Sequence, residues 1–242
     1  MRQCGEKMNE QYLSKRLKAV VSYIPKGAIV ADIGSDHAYL PCYAYNNGLI
    51  KGAVAGEVNE GPYLSAKKQV EKLGMNDAIS VRKGSGLAVI APKEVNVITV
   101  AGMGGGLIRD ILEEGKEKLE GVERLVLQPN VAADKIRIWL HKNNWLLISE
   151  EILEEDGKIY EVLAAERGND KSLYQNDKLA AFLLGPYLMK EKNAVFQKKW
   201  SHELEKRRKI IKQLESASNN EEKVERKKLI LQEIKRIEEG LS

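Results

Sequence analysis

Val30-Ala31-Asp32-Ile33-Gly34-Ser35-Asp36-His37-Ala38-Tyr39 is the segment from which the architecture follows. A β-favouring run ends in an acid, takes a turn containing one glycine and passes straight into a helical pattern. This is the opening unit of a sheet whose ligands approach the backbone at the carboxyl ends of the strands. Gly34 is the only glycine in the turn, so the G-x-G-x-x-G cradle used by a dinucleotide pyrophosphate is missing.

Outward from this turn, β-rich runs at residues 28–33, 53–57, 79–82, 95–101, 124–128, 145–150 and 159–164 alternate with helical patterns at 10–23, 38–47, 61–73, 106–113 and 132–143. The alternation specifies an α/β fold, a Rossmann-like sheet of about seven strands flanked by helices. Only Glu155-Asp156-Gly157-Lys158 separates the last two runs, which therefore form an antiparallel hairpin at one sheet edge. Near Arg167-Gly168-Asn169-Asp170 the composition changes to Lys/Glu-rich helix, dividing the chain into residues 1–168 and 169–242. Breaks at Gly185-Pro186 and Ser216-Ala217-Ser218-Asn219-Asn220 divide the tail. Apolar positions at Val195/Phe196, Trp200, Leu204, Ile210/Ile211 and Leu214, then at Val224, Leu231, Ile234, Ile237 and Leu241, imply an antiparallel helical hairpin with coiled-coil character.

The tail holds 17 Lys and Arg against 12 Asp and Glu, whereas residues 1–168 hold 22 against 23. A basic appendage on a near-neutral body points to a polyanionic partner, although a solvated helix surface has the same composition. Cys4 and Cys42 lack metal-site or disulfide spacing, and His37, His141 and His202 are scattered, so no metal is expected. The apolar runs are strand-sized and Met1-Arg2-Gln3-Cys4 opens no signal region, which reads as a cytoplasmic protein without a membrane partner.

The chemistry is expected at the strand tips. Asp32 and Gly34 suit a ligand with an amino group and a carboxylate and no phosphates, as in S-adenosylmethionine. Glu57 ends the second strand, where a carboxylate accepts hydrogen bonds from ribose hydroxyls; this identifies a ribose and not a reaction. Gly84-Ser85-Gly86 follows the third strand, where such folds contact adenine, although an ordinary turn reads alike. Gly102-Met103-Gly104-Gly105-Gly106 follows the fourth and lets the backbone come close to a ligand. Gln128-Pro129-Asn130 adds amides for reading a base, or a turn with an Asn cap.

Together, Leu13-Ser14-Lys15-Arg16-Leu17, the run from Asp32 to Pro41, Ala55-Gly56-Glu57, Gly61-Pro62, Ala101-Gly102-Met103-Gly104-Gly105, Leu127-Gln128-Pro129-Asn130 and Glu155-Asp156-Gly157-Lys158 closely resemble the TrmK family of bacterial tRNA adenine-N1 methyltransferases. The resemblance covers residues 13–168, and Ser85 departs from it where an aspartate is common. It implies a class I methyltransferase domain with a coiled-coil tRNA-binding domain, S-adenosylmethionine as cofactor, and methylation of adenine 22 in the D-arm of tRNA. It also implies that Asp32, Gly34, His37, Glu57, Gly102 and Met103 lie at the cofactor, with Arg16 on its carboxylate.

Methyl transfer to a ring nitrogen is an in-line displacement that needs alignment in a water-poor pocket. It leaves a cationic base that a carboxylate stabilises. Asp36 is the candidate for that role, with capping of the next helix as its alternative; Tyr39, Gln128, Asn130 and Tyr160 are candidates for positioning the base. A nicotinamide oxidoreductase, a small-molecule methyltransferase with a dimerising tail, and a non-catalytic RNA-binding protein share parts of this pattern. A monomer is the favoured state.

Overall fold

The computed structural model describes residues 12–169, 171–175, 177–215 and 221–242. The start of the first expected helix, Cys4, Asp170 and the break at 216–220 lie outside the described residues. Elements run α1 (Lys15–Ser22), β1 (Ala28–Ile33), α2 (Tyr39–Asn46), β2 (Ile50–Glu57), α3 (Glu60–Lys72), β3 (Ile79–Lys83), β4 (Val97–Gly104), α4 (Gly105–Glu114), β5 (Arg124–Val131), α5 (Ala133–Lys142), β6 (Trp145–Glu155) and β7 (Lys158–Arg167). After them come α6 (Lys178–Leu184), α7 (Leu188–Glu191), α8 (Ala194–Glu215) and α9 (Glu221–Leu241).

The seven strands lie in the order β3-β2-β1-β4-β5-β7-β6. The first five are parallel, and β7 is antiparallel to both of its neighbours. Alternating side chains feed two cores. Ile33, Ile98, Val100 and Leu127 pack under α4 and α5, while Val30, Ala55, Val97 and Val126 pack on the face covered by α1, α2 and α3. No helix among the described residues is long and apolar enough to cross a membrane.

The four strands β4 to β7 each run three or more residues past their expected ends. In β4 and β5, Ala101 pairs with Gln128, Met103 with Pro129 and Gly104 with Val131, so Gly102 and Asn130 are each an extra residue in their strand. These facing bulges carry pairing through a proline that has no N–H to give, so residues 129–130 are strand and not a turn with an Asn cap, one of the two readings of the sequence. The β6–β7 hairpin pairs from Trp145 with Arg167 to Glu155 with Lys158, closed by Asp156 and Gly157 at φ +49° and +72°. Positive φ at both central residues suits the twist of a two-residue hairpin. Since β5 pairs with β7 only over Leu163–Glu166, the far half of the hairpin overhangs the sheet and is free to meet α1 and α8.

The tail packs on that overhang. Phe196, Trp200, Leu204 and Ile211 of α8 bury against Ile234 and Ile237 of α9, with Leu184, Leu188 and Ile152 beside them. The pairs Arg207–Glu233 and Lys227–Glu215 fix α8 and α9 as antiparallel. The expected apolar face of α9 is corrected: Val224 and Leu231 are exposed, and Ile230, Ile234, Ile237 and Leu241 make the contact. Steps of 4, 3 and 4 residues keep these four on one helical stripe, and Leu231 stands about 60° to its side.

One buried cation joins the parts. Arg137 of α5 is fully buried; its Nε donates to Glu150 Oε1 at 2.5 Å and its Nη2 to Glu161. Its Nη1 donates to the carbonyls of Phe182 and Leu183 at 3.0 and 3.3 Å, at the end of α6. Lys199 of α8 pairs with Glu161, and the Tyr187 N–H donates to Glu150 Oε2 at 3.0 Å. Gly185 is required beside this cluster, since a Cβ there would stand 2.7 Å from Arg137 Nη2 at a φ of +94°.

Arg137→Ala should cost about 3–5 kcal/mol of unfolding free energy, since it leaves buried Glu150 without a cation and strands two carbonyls, while Glu161 keeps only Lys199. Urea denaturation of the full chain checks this, and a loss below about 1 kcal/mol would mean that the cluster carries little net energy.

Candidate functional site

At the carboxyl end of the sheet the central constraint is Gly102, at φ +82° and bulged out of the ladder. Its N–H donates to Gln128 Oε1 at 3.0 Å, and its carbonyl accepts from Asn130 Nδ2 at 2.7 Å. Gln128 Nε2 donates to Asn130 Oδ1 at 3.3 Å, so the two amides form one brace. Gln128 is fully buried and its oxygen also accepts from Arg16 Nη1 at 2.5 Å. Gln128, a candidate for positioning the base, thus has its oxygen committed to the bulge and to Arg16.

Arg16 is aimed from its other side too. Glu155, from the hairpin turn, accepts from the N–H groups of Lys15 and Arg16 at 2.6 and 3.2 Å, and Ser14 accepts from Leu17 N–H, so the start of α1 is doubly capped. The Arg16 guanidinium lies 5.5 Å from the centre of the Tyr160 ring. Its Nε and Nη2 have no acceptor among the described residues, which leaves a fork open to a carboxylate.

Asp32 sits opposite Thr99 in the β1–β4 register and is 4% exposed. Thr99 Oγ1 donates to its Oδ1 at 2.6 Å and Ser35 Oγ to its Oδ2 at 2.5 Å. Burial raises its pKa above the ordinary carboxylate value, against the lowering effect of these hydroxyls and of Arg16. Each oxygen keeps a lone pair for a further donor. Gly34, at φ +72°, lets the first turn meet Met103, since a Cβ there would fall 2.2 Å from Met103 Cε.

Glu57 at the tip of β2 is 5% exposed; its Oε1 accepts from Asp36 N–H, and its Oε2 has no donor among the described residues. Its pKa is raised by burial, with Asp36 and Asp32 adding to the shift and the Asp36 N–H opposing it. The carbonyl of Glu57 accepts from Gly84 N–H at 2.8 Å, which brings Gly84-Ser85-Gly86 beside the same carboxylate. Asp36 is exposed, and its carboxylate lies 3.7 Å from His37 Nε2. It does not cap α2, which starts behind Ala38 with no side-chain cap. The His37 and Tyr39 rings stack at 5.1 Å.

The structure thus gathers Arg16, Gly102, Gln128, Asn130 and Tyr160 on one side, and Glu57, Asp36, His37, Tyr39 and Gly84 on the other. Asp32 and the Gly34–Met103 contact join them. The open groups fit a ligand with a carboxylate for Arg16 and a diol for Glu57. Among the described residues no group of three or more His, Cys, Asp or Glu could hold a metal. The sequence reading missed Thr99, Ser35 and Glu155. Thr99 was signalled by its place across from Asp32, whereas nothing local announces that Glu155 reaches α1.

The family model for tRNA (adenine(22)-N(1))-methyltransferase, TrmK, matches residues 30–239. A Bacillus subtilis protein named tRNA (adenine(22)-N(1))-methyltransferase is 58% identical over 216 residues, covering 89% of this chain and 91% of that one. The crystal structure of the B. subtilis m1A22 tRNA methyltransferase TrmK matches with a TM-score of 0.94 at 53% identity, covering 96% of this chain and all of that one. A Streptococcus pneumoniae structure in complex with S-adenosyl-L-methionine matches at 0.84 and 44% identity, over 96% of this chain and all of that one.

Asp32 and Glu57 should make the unliganded protein less stable as pH rises. A carboxyl whose folded pKa is raised binds more protons folded than unfolded, so stability is greatest below the ordinary carboxylate pKa and falls as pH climbs through the raised one. Asp32→Asn should therefore gain about 1 kcal/mol over wild type at neutral pH, with the gain vanishing in acid. Thermal unfolding from pH 4 to 8 measures it, and a pH-independent difference would contradict the assignment.

Proposed function

The chain belongs to the TrmK family of tRNA (adenine(22)-N(1))-methyltransferases, and from that premise and the geometry of the crevice we infer how it works. It transfers the methyl group of S-adenosylmethionine to N1 of adenine 22 in the D-arm of bacterial tRNA. The observation that carries the mechanism is the open guanidinium of Arg16 facing buried Asp32 across a glycine bulge, with no pyrophosphate cradle beside it.

In this reading Arg16 holds the cofactor carboxylate and Asp32 its amino group. Glu57 holds the ribose hydroxyls, Gly84, Ser85 and Gly86 border the adenine, and Gly34, His37, Gly102 and Met103 shape the walls. The cofactor supplies a sulfonium methyl, and the protein's work is alignment and exclusion of water. Gln128 and Asn130 are positioning residues: they set the bulge and, through it, Arg16. The target adenine enters unpaired, because pairing occupies its N1 lone pair. Tyr39, stacked on His37, and Tyr160 border its path. The exposed carboxylate of Asp36 faces the charge that methylation leaves on the base.

Residues 1–168 form the catalytic domain and 169–242 the helical tRNA-binding domain of a cytoplasmic, monomeric enzyme. Within the densest basic cluster, Arg207 is committed to Glu203 and Glu233, and Arg208 to Glu238. Lys209 and Lys212 are exposed without partners among the described residues and are the better candidates for phosphate contacts.

Incubation of the full chain with labelled S-adenosylmethionine and unmodified tRNA should place 1-methyladenosine at position 22. Asp36→Ala should lower kcat about 100-fold while leaving cofactor affinity, by calorimetry, within twofold. Undiminished turnover in the variant would remove Asp36 from the mechanism, and an unmethylated tRNA pool with wild type would remove the substrate.

A further inference from the structure

The turn of the β6–β7 hairpin makes a contact that its own strands do not require. Glu155 stands opposite Lys158 in the ladder, across Asp156 and Gly157, where opposite charges commonly pair. Its carboxylate reaches α1 instead: Oε1 accepts from Lys15 N–H at 2.6 Å and Oε2 from Arg16 N–H at 3.2 Å. Lys158 is left exposed, with no ion pair to Glu155 among the described residues.

Ser14 already caps this helix, its Oγ accepting from Leu17 N–H at 3.2 Å, and one such cap is what most helices use. The second cap comes from 140 residues away and fixes where α1 lies against the hairpin. Arg16 is thereby held at three points. Its N–H is on Glu155, its Nη1 is on Gln128 Oε1 at 2.5 Å, and its guanidinium lies 5.5 Å from the centre of the Tyr160 ring. Two of these points belong to one hairpin, since Tyr160 pairs with Leu153, two residues before Glu155. A guanidinium–carboxylate fork depends on orientation as well as distance, and a side chain held in advance loses less freedom when the ligand arrives.

We propose that Glu155 is a positioning residue for the cofactor. By fixing the first turn of α1 on the hairpin it sets the Arg16 fork, and so it governs affinity for ligands that carry the amino-acid carboxylate and not for the nucleoside part. The proposal rests on the reading of Arg16 as the group that holds this carboxylate. Glu155 touches no ligand itself, because each of its oxygens is committed to an α1 N–H.

Calorimetry compares S-adenosylhomocysteine, which has the amino-acid end, with methylthioadenosine, which lacks it. Both are titrated into the full chain, Glu155→Gln, Arg16→Ala and the double variant. The glutamine keeps the length of the side chain and loses one acceptor and the charge. Glu155→Gln should weaken S-adenosylhomocysteine about tenfold, the scale of one charge-assisted hydrogen bond, and leave methylthioadenosine within about twofold. Arg16→Ala should weaken S-adenosylhomocysteine by about tenfold or more. Glu155→Gln added to Arg16→Ala should then change nothing further, because its effect passes through Arg16. In methyl transfer, Glu155→Gln should raise KM for S-adenosylmethionine with KM for tRNA unchanged. Equal losses for the two ligands, or losses that add in the double variant, are the mark of a cap that only supports the fold, and they overturn the proposal. Wild-type affinity for S-adenosylhomocysteine in Glu155→Gln overturns it too, and leaves the Arg16 reading standing. If Arg16→Ala keeps the wild-type ratio of the two affinities, the Arg16 reading fails and the proposal falls with it.

Discussion

The peptide of Gly102 has left the β ladder near the end of a central strand, and a backbone N–H and carbonyl without partners there cost free energy unless something replaces the lost bonds. Gln128 and Asn130 replace them, one on the N–H and one on the carbonyl. The facing bulges explain why the motif reads Gln-Pro-Asn: glutamine reaches Gly102 from the ladder, proline occupies a position where a donor is not needed, and asparagine is the second extra residue. The same Gln128 oxygen aims Arg16, so the backbone repair and the charge that faces Asp32 are one hydrogen-bonded unit. A substitution at Gln128 would reach the ligand through two routes at once.

Arg137 plays the corresponding part for the whole molecule. Taking a guanidinium and two carboxylates out of water is expensive, and burial alone would raise the pKa of both glutamates. For Glu150 burial prevails over Arg137 and the pKa stays raised, whereas for Glu161 the added charge of Lys199 brings it below the ordinary value. The second cation comes from α8, so the tail completes the compensation of a charge that belongs to the sheet. This ties the angle of the helical hairpin to the sheet and its crevice.

Much of this was legible from local pattern. Strand and helix alternation, the acid-x-glycine turn and the Asp156-Gly157 turn are short-range signals, and the sheet, the crevice and the edge hairpin follow from them. Leu231 shows where periodicity fails, since two apolar neighbours on α9 compete for one stripe and only packing against α8 decides between them. Arg137 and Glu155 show a second limit. A single arginine inside an amphipathic helix reads as a solvated residue, and a glutamate before a turn reads as part of the turn. Their partners lie 13 to 140 residues away and become adjacent only after the sheet has formed.

Asp32 and Glu57 are buried acids that the unliganded fold supports at a cost, each with burial as the leading reason for its raised pKa. The protein could lower that cost by surrounding them with donors, as it does for Glu161, yet it leaves an oxygen of Glu57 without a donor among the described residues. Unspent acceptor capacity in a low-dielectric pocket is worth more to a ligand than a satisfied carboxylate in water, because the ligand's donors meet no competing solvent. The free energy withheld from folding at these two strand tips is therefore available to binding, and the rigid bulge, the capped α1 and the Arg137 cluster supply the stability that makes withholding it tolerable.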